Sequence, residues 1–438
     1  MKKVLAIVLA LAMVLSAVAC SCKSTSTTTT TTTDASGNTT TTTTTTTNDN
    51  GNVTTTTETT QAAATAEYVT ADGKCGCGCG LDVSAYSPYI QELIYNAHKN
   101  GETLNVYGAC DESYVNAAAY HFQELFNIPT TSIRYATGEL YTRTEEEKDN
   151  PQADVWFGGS NDYYIKAKNA GLLGTYQPEN EKNLIVSAGE TKSKFIDPDY
   201  QWYGIYTGVL GIMVNKEEVE SRGLTIPTSW KDLLDPCWEG LIAIPNPETS
   251  ATATNFLATM HYVYGYPDNL DEEGLNQYLK DFDKNVSQYT KSGSGPSKMV
   301  GPGECVIGMS FLHDGVAQIA NGYDNIQLIV PSEGSGFECG ACAIVKNDKN
   351  PNASKLFIEY CLTGECVNLG KENSSYQNLV ITAEAGAVQP KELEEVGLDD
   401  LSKCNLVPYD VVDVAPKLKD WTQAWLEIVG SDDRHKTS

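Results

Sequence analysis

From residue 104 onward the apolar positions fall into short runs separated by amphipathic stretches. Leu104–Tyr107 reads as a first strand, Gly108-Ala109-Cys110-Asp111-Glu112-Ser113 as a loop at its carboxyl end, and Tyr114–Phe126 as a helix. Ser132–Ala136 is the second predicted strand, ending at Thr137-Gly138. Glu139–Lys148 then follows as a helix, and Ala153–Phe157 as a third strand ending in Gly158-Gly159-Ser160. Strands that alternate with helices predict an α/β fold with a parallel sheet, whose ligands sit at the carboxyl ends of the strands. Those ends carry Cys110–Ser113, Thr137-Gly138 and Gly158–Ser160.

Further along, Gly204–Val214 is a continuous β-rich stretch. Pro227–Ala258 predicts a short helix at Ser229–Leu234, a turn at Asp235-Pro236, a buried strand at Leu241–Ile244, and a loop opening another helix. That loop, Asn246–Thr252, carries Thr249, Ser250 and Thr252 where the helix starts. A helix start has unpaired N–H groups and partial positive charge, so its hydroxyls can hold an anion; taken alone, Thr249 or Ser250 reads as a cap. Cys305–Phe311 is a strand with Leu312-His313-Asp314-Gly315 as its exit. A glycine-rich loop carrying Glu338 precedes the strand Cys342–Val345, a helix begins near Pro351, and Ala415–Val429 closes the chain with an apolar-faced helix.

The first hundred residues read differently. Met1–Cys20 has two lysines, an apolar run over Val4–Leu15, and small residues before Cys20, the pattern of a secretory signal too short to span a membrane. Ala17-Val18-Ala19 also suits an ordinary signal peptidase; the cysteine favours a lipoprotein, with Cys20 as lipid anchor. Residues 24 to about 66 are almost all threonine and predict a disordered tether. Cys75-Gly-Cys77-Gly-Cys79 could chelate a soft metal, but with no histidine or second C-x-C nearby the residues favour flexible thiols or bridges elsewhere. Of thirteen cysteines, twelve remain if Cys20 is lipidated. Cys361 and Cys366 are spaced for a local bridge, and Cys110 with Cys339 or Cys342 is the other candidate pairing. Cys339-Gly-Ala-Cys342 leads into a strand, against a thioredoxin-like role.

A formal net charge of −27 argues against nucleic acid or an anionic membrane surface as partner, although a global charge says little about a local cleft. No metalloprotease, hydrolase-elbow or phosphate-loop motif is present. His313-Asp314 invites an enzyme reading with histidine as base; on a strand, however, neighbours face opposite ways.

SWKDLLDPCWEGLIAIPNPETSATA, at 229–253, resembles the signature of bacterial extracellular solute-binding proteins of ABC importers, in the family that binds ferric iron and phosphorylated compounds. GELYTRTEEEKDNPQADVWFGGS, the segment 288–315 and PSEGSGFECGACAIVKNDKNPNASKLFIEYCL resemble the same family, so the likeness runs from about Leu104 to Trp425. It implies a two-lobed periplasmic-binding-protein type II fold with a hinge at Gly204–Val214 and an interlobe cleft. Lobe one would comprise about 101–204 and 332–390, lobe two about 205–331 and 391–438, with 1–20 as signal and 21–85 as tether. By type and placement, Thr137, Ser160, Thr207, Ser250, Thr252, His313, Asp314 and Glu338 would line the cleft.

The resemblance implies a monomeric binding lipoprotein without cofactor or resident metal. It would capture a small anionic solute, a phosphorylated sugar or organophosphate, at the cell surface or periplasm for an ABC permease, touching the membrane only through its lipid. Ferric-iron receptors are the alternative. They supply two adjacent tyrosines, because hard Fe(III) takes phenolate oxygens; the corresponding region here has Tyr376 followed by Gln377, and Tyr163-Tyr164 lies elsewhere. A surface hydrolase or adhesin is the reading from a different class.

Overall fold

The computed structural model describes residues 23–33, 39–49, 52–62, 68–187, 190–265, 272–408 and 410–430. The chain divides into two compact units, Met1–Asn96 and Ala97–Ser438. Cys20 and the signal-like segment lie outside the described residues.

In the first unit the threonine tract, expected to be a disordered tether, forms three antiparallel strands: β1 (Lys23–Thr33), β2 (Thr39–Asp49) and β3 (Asn52–Ala62). Thr28 pairs with Thr44, and Thr44 with Thr57. The β-branched side chain of threonine favours extended backbone, a local preference that outweighs the tract's low complexity. Helix α1 (Pro88–Asn100) begins near the end of this unit.

The second unit is built on a ten-stranded mixed sheet. Its strands are β4 (Leu104–Gly108), β5 (Thr130–Arg134), β6 (Val155–Ser160), β7 (Tyr203–Asn215), β8 (Ile242–Pro245), β9 (Val286–Thr290), β10 (Ile307–Phe311), β11 (Ile326–Ile329), β12 (Phe337–Ile344) and β13 (Asn378–Leu379). Between them run α2 (Glu112–Phe126), α3 (Thr137–Glu146), α4 (Asn161–Asn169), α5 (Lys216–Ser221), α6 (Ala251–Met260), α7 (Glu272–Asn285), α8 (Gly295–Val300), α9 (Leu312–Ala320) and α10 (Pro351–Cys361).

Strand β7 is uncharged and buried along its whole length, as expected of a strand covered on both faces. Its first half pairs with β12, from Cys342 opposite Tyr203 to Phe337 opposite Val209; its second half pairs with β10 and β11, Ile307 opposite Val214 and Ile326 opposite Asn215. One strand thus belongs to two half-sheets, at the stretch the family resemblance marks as the crossing between lobes. Within each half the parallel expectation holds: β4 is parallel to β5 and β6, and β8 to β9 and β10. The antiparallel pairings belong to β7 and to β12, which pairs with both β6 and β7.

Each half has its own core. Tyr107, Trp156 and Tyr164 fill one; Trp230, Phe256 and Phe282 fill the other, with Trp230 and Phe256 rings 5.6 Å apart. The C-terminal helix Leu418–Val429 docks Trp425 against Tyr289 in the second core at 5.2 Å. This is why that helix carries an apolar face.

The disulfide expectations are not met: Cys110, Cys339, Cys342, Cys361 and Cys366 are all buried free thiols. Cys110 packs against Gly158 and Cys339 against Gly204, where an added Cβ would touch each sulfur at 2.6 Å. The two thiols therefore serve separate packing sites.

Candidate functional site

A cleft of about 520 Å³, its open mouth included, lies where the two half-sheets meet. Four helices of nine residues or more start at its wall. Their N-caps, Asp111 for α2, Ala136 for α3, Ser250 for α6 and Phe311 for α9, all line it. Asp111 and Ser250 are residue types that ordinarily cap with their own side chains, yet neither does. The first-turn N–H groups of α2 and α6 are thus left without a capping side chain, beside the partial positive charge of each helix start.

Of the residues expected at the site, Thr137, Ser250, Thr252, His313, Asp314 and Glu338 line this cleft together. Gly293 lies against Ser250 and Thr252: a Cβ there would collide with the Thr252 hydroxyl and stand 3.2 Å from that of Ser250. Two expected residues are elsewhere. Ser160 lines a separate small cavity with Asp162, Asn255 and Leu418, and Gly159 takes its place in the cleft. Thr207 is buried in β7 opposite Cys339 and Asn378, while its neighbour Tyr206 lines the cleft. Both misplacements have one cause: consecutive strand residues face opposite ways, and the sequence did not say which parity faced inward.

The sequence pattern makes His313 and Asp314 a strand exit and puts Glu338 in a loop; in the structure the first two form the first turn of α9 and Glu338 lies within β12. His313 Nε2 stands 3.8 Å from both Asp314 Oδ1 and Glu338 Oε1, beyond hydrogen-bond distance, and its buried Nδ1 has no partner within the protein. The ring lies nearly parallel to Phe311, centroids 5.8 Å apart, with Tyr206 at 6.4 Å. The Tyr206 phenol accepts the Gly159 N–H at 3.0 Å.

Sequence reasoning missed Arg134, Gln377 and Ser294 as lining residues, and left Asp111 as an unassigned loop position. Arg134 is the most informative omission. The second strand ends at Arg134 and not at Ala136, which brings the guanidinium to the strand's carboxyl end. Its Nε donates to the Cys110 carbonyl at 3.2 Å. The signal was present: Arg134 is the only basic residue in β4, β5, β6 and the short segments after them.

Burial governs the electrostatics. It pulls His313 down to about 4, with Asp111 opposing, so the ring is neutral at pH 7. It pushes Asp314 up to about 6 against the 2.6 Å hydrogen bond from Ser310 Oγ. It holds Glu338 well above the carboxylate range, reinforced by Asp314, and raises Asp111 with help from the same neighbour. Burial thus favours the neutral form of Glu338, which can donate a hydrogen bond as well as accept one. Among the lining residues only Arg134 is cationic at neutral pH.

Across the cleft, a Cβ on Gly138 of α3 would meet the Thr249 carbonyl at 3.2 Å, and Glu139 pairs with Lys291 at 2.7 Å. The starts of α3 and α6, one from each half, are in direct approach.

The family model for bacterial extracellular solute-binding proteins matches residues 150–397, more than half of the chain. The chain belongs to that family. An uncharacterized protein of Haemophilus influenzae is 35% identical over 304 residues, 68% of this chain and 84% of that one. The periplasmic binding protein AfuA from Actinobacillus pleuropneumoniae, solved with fructose-6-phosphate bound, superposes with a TM-score of 0.66 at 30% identity, covering 75% of this chain and 98% of its own. The ferric binding protein from Campylobacter jejuni shares the fold at a TM-score of 0.61, with 18% identity over 74% of this chain and 99% of its own. This solute-binding protein therefore has the two-lobed periplasmic-binding-protein fold and is of the ABC-importer type. Among its described residues no helix is long and apolar enough to cross a membrane.

Proposed function

We propose that the protein captures a phosphorylated sugar or related organophosphate by closing its two lobes, and passes it unchanged to an ABC permease. The observation that carries this reading is the convergence of Arg134 and the starts of α2, α3, α6 and α9 on one cleft. A phosphate would take the guanidinium, first-turn N–H groups and the hydroxyls of Thr137, Ser250 and Thr252. His313, Asp314 and Glu338 would take sugar hydroxyls, which both donate and accept. AfuA, solved with fructose-6-phosphate, supports the same chemistry. The ferric alternative is less well served, because the one phenol lining the cleft is Tyr206, buried and raised well above its ordinary range. Tyr376 packs instead against the core cluster that includes Leu393 and Leu398, and the Tyr164 hydroxyl donates to the Gly158 and Ala341 carbonyls.

Calorimetry with fructose 6-phosphate and a panel of hexose and pentose phosphates tests this, with the parent sugars and ferric citrate as controls. Binding should require the phosphate, and enzymatic assay should find no phosphate released. Ser250→Ala and Thr252→Ala should each weaken binding by about 1.5–3 kcal/mol, the worth of a hydrogen bond to a charged group. Ser250→Asp should bind more weakly still, although aspartate is a good cap, since it sets a second negative charge beside the ligand. Normal binding by Ser250→Asp, or tight ferric binding with a tyrosinate colour lost in Tyr376→Phe, overturns the reading.

The lobe boundaries near 204 and 331, the monomeric state and the lipid anchor belong to the same proposal. Metabolic labelling with palmitate should mark the protein, and Cys20→Ala should abolish the mark. An unlabelled wild type rules the anchor out.

A further inference from the structure

Cys75, Cys77 and Cys79 belong to the N-terminal unit, and no role described above uses them. The sequence favours flexible thiols at these positions; the structure gathers them. Their three Sγ atoms all lie within 4.8 Å of one another, with those of Cys75 and Cys77 2.9 Å apart. In an extended segment alternate residues share a face but are separated by about 6.6 Å of chain, so backbone folding has drawn these sulfurs together. The fold that does so is a short hydrogen-bonded frame: Cys75 N–H donates to the Leu81 carbonyl at 2.8 Å, Gly76 N–H to that of Tyr68 at 2.7 Å, and Gly78 N–H to that of Cys75 at 3.2 Å. Val69 bridges Cys75 and Lys74 bridges Asp82 on either side. Gly78 and Gly80 take the left-handed conformation, φ +82° and +83°, which winds the chain between and after the thiols. Cys75 is 1% exposed and forms the floor, while Cys77 and Cys79 are partly exposed and leave the group open to solvent.

We propose that Cys75, Cys77 and Cys79 hold one soft monovalent metal ion, Cu(I), as a three-thiolate site. The donor set is sulfur only, which selects soft ions over magnesium, calcium or manganese. Among the described residues no fourth histidine, cysteine or carboxylate joins the group. A structural zinc closes a tetrahedron of four protein ligands, whereas Cu(I) is content with three sulfurs. On binding, the ion replaces the thiol protons, which leave to solvent, and no electron is transferred.

The test is an anaerobic titration of the full chain, reduced beforehand, with Cu(I) in the presence of the chromogenic chelator bicinchoninate. One equivalent should be withheld from the chelator, with thiolate-to-copper absorption in the ultraviolet and a sulfur-only shell by X-ray absorption. Cys75→Ser, Cys77→Ser and Cys79→Ser should each lose the ion to the chelator, while Cys237→Ser, at an exposed thiol, should keep it. The proposal is overturned if wild type withholds no copper or if the triple serine variant withholds as much. It is equally overturned if Zn(II), added at the same concentration, displaces the copper. Circular dichroism on each variant separates loss of ligand from loss of fold, and the wild-type titration stands independently of both.

Discussion

Arg134→Gln should reduce affinity for a sugar phosphate more than any other single change at the cleft, by roughly 3–6 kcal/mol for two charge-assisted hydrogen bonds. This corresponds to about a hundredfold to ten-thousandfold in Kd. The size follows from the absence of a second lining cation. His313 is neutral at pH 7 because burial pulls it to about 4, and Asp111 and Asp314 line the same cleft. Arg134 is also one of the two cations that hold Asp314 down, the other being Lys298. Removing it lets Asp314 rise further and leaves the anion only helix starts and hydroxyls. Arg134→Lys should recover part of the loss, since the charge returns without the bidentate fork. Calorimetry against the same sugar phosphate, with thermal unfolding as the folding control, decides it: an unchanged Kd in a folded Arg134→Gln protein would show that phosphate is not recognised at this end of the cleft.

Why the sequence revealed some of this and hid the rest can be traced residue by residue. Long apolar periodicity was legible, so β7, α2, α10 and the C-terminal helix fall within a few residues of where the pattern puts them. Boundaries were the weak point, and boundaries decide which side chains enter a site at strand ends. Ending β5 at Arg134 and not at Ala136 moves the guanidinium to the cleft. Starting α9 at Leu312 turns His313-Asp314 from a strand exit into a helix's first turn. Strand parity was also unreadable where both faces are buried: β7 offers no polar face to say that Tyr206 points inward and Thr207 away. The threonine tract shows the opposite failure, where composition suggested disorder and β-branching gave paired strands. The cysteine cluster could not be judged from spacing, because its convergence depends on the frame from Tyr68 to Val83.

Gly208→Ala should abolish binding while only moderately destabilising the fold. Gly208 sits on β7 opposite Glu338. A Cβ built there collides with Nδ1 of His313, stands 2.6 Å from its Cε1, and reaches within 3.6 Å of Glu338 Oε1. The ring has little room to yield, with Phe311 stacked beside it and Tyr206 near its edge. Overpacking of this kind costs about 1–3 kcal/mol, and relief must come from swinging His313 off its position. If His313 contacts a ligand hydroxyl, that movement removes the contact and disturbs Glu338 with it. The double variant Gly208→Ala/His313→Ala separates the two consequences: without the ring the methyl fits, so unfolding stability should recover towards that of His313→Ala alone, while affinity stays low. The coupling between the two changes is read from a double-mutant cycle in both quantities. Thermal unfolding with and without fructose 6-phosphate supplies the data. A Gly208→Ala protein that keeps the ligand-induced rise in Tm would place His313 outside the binding site and leave it as a packed core histidine.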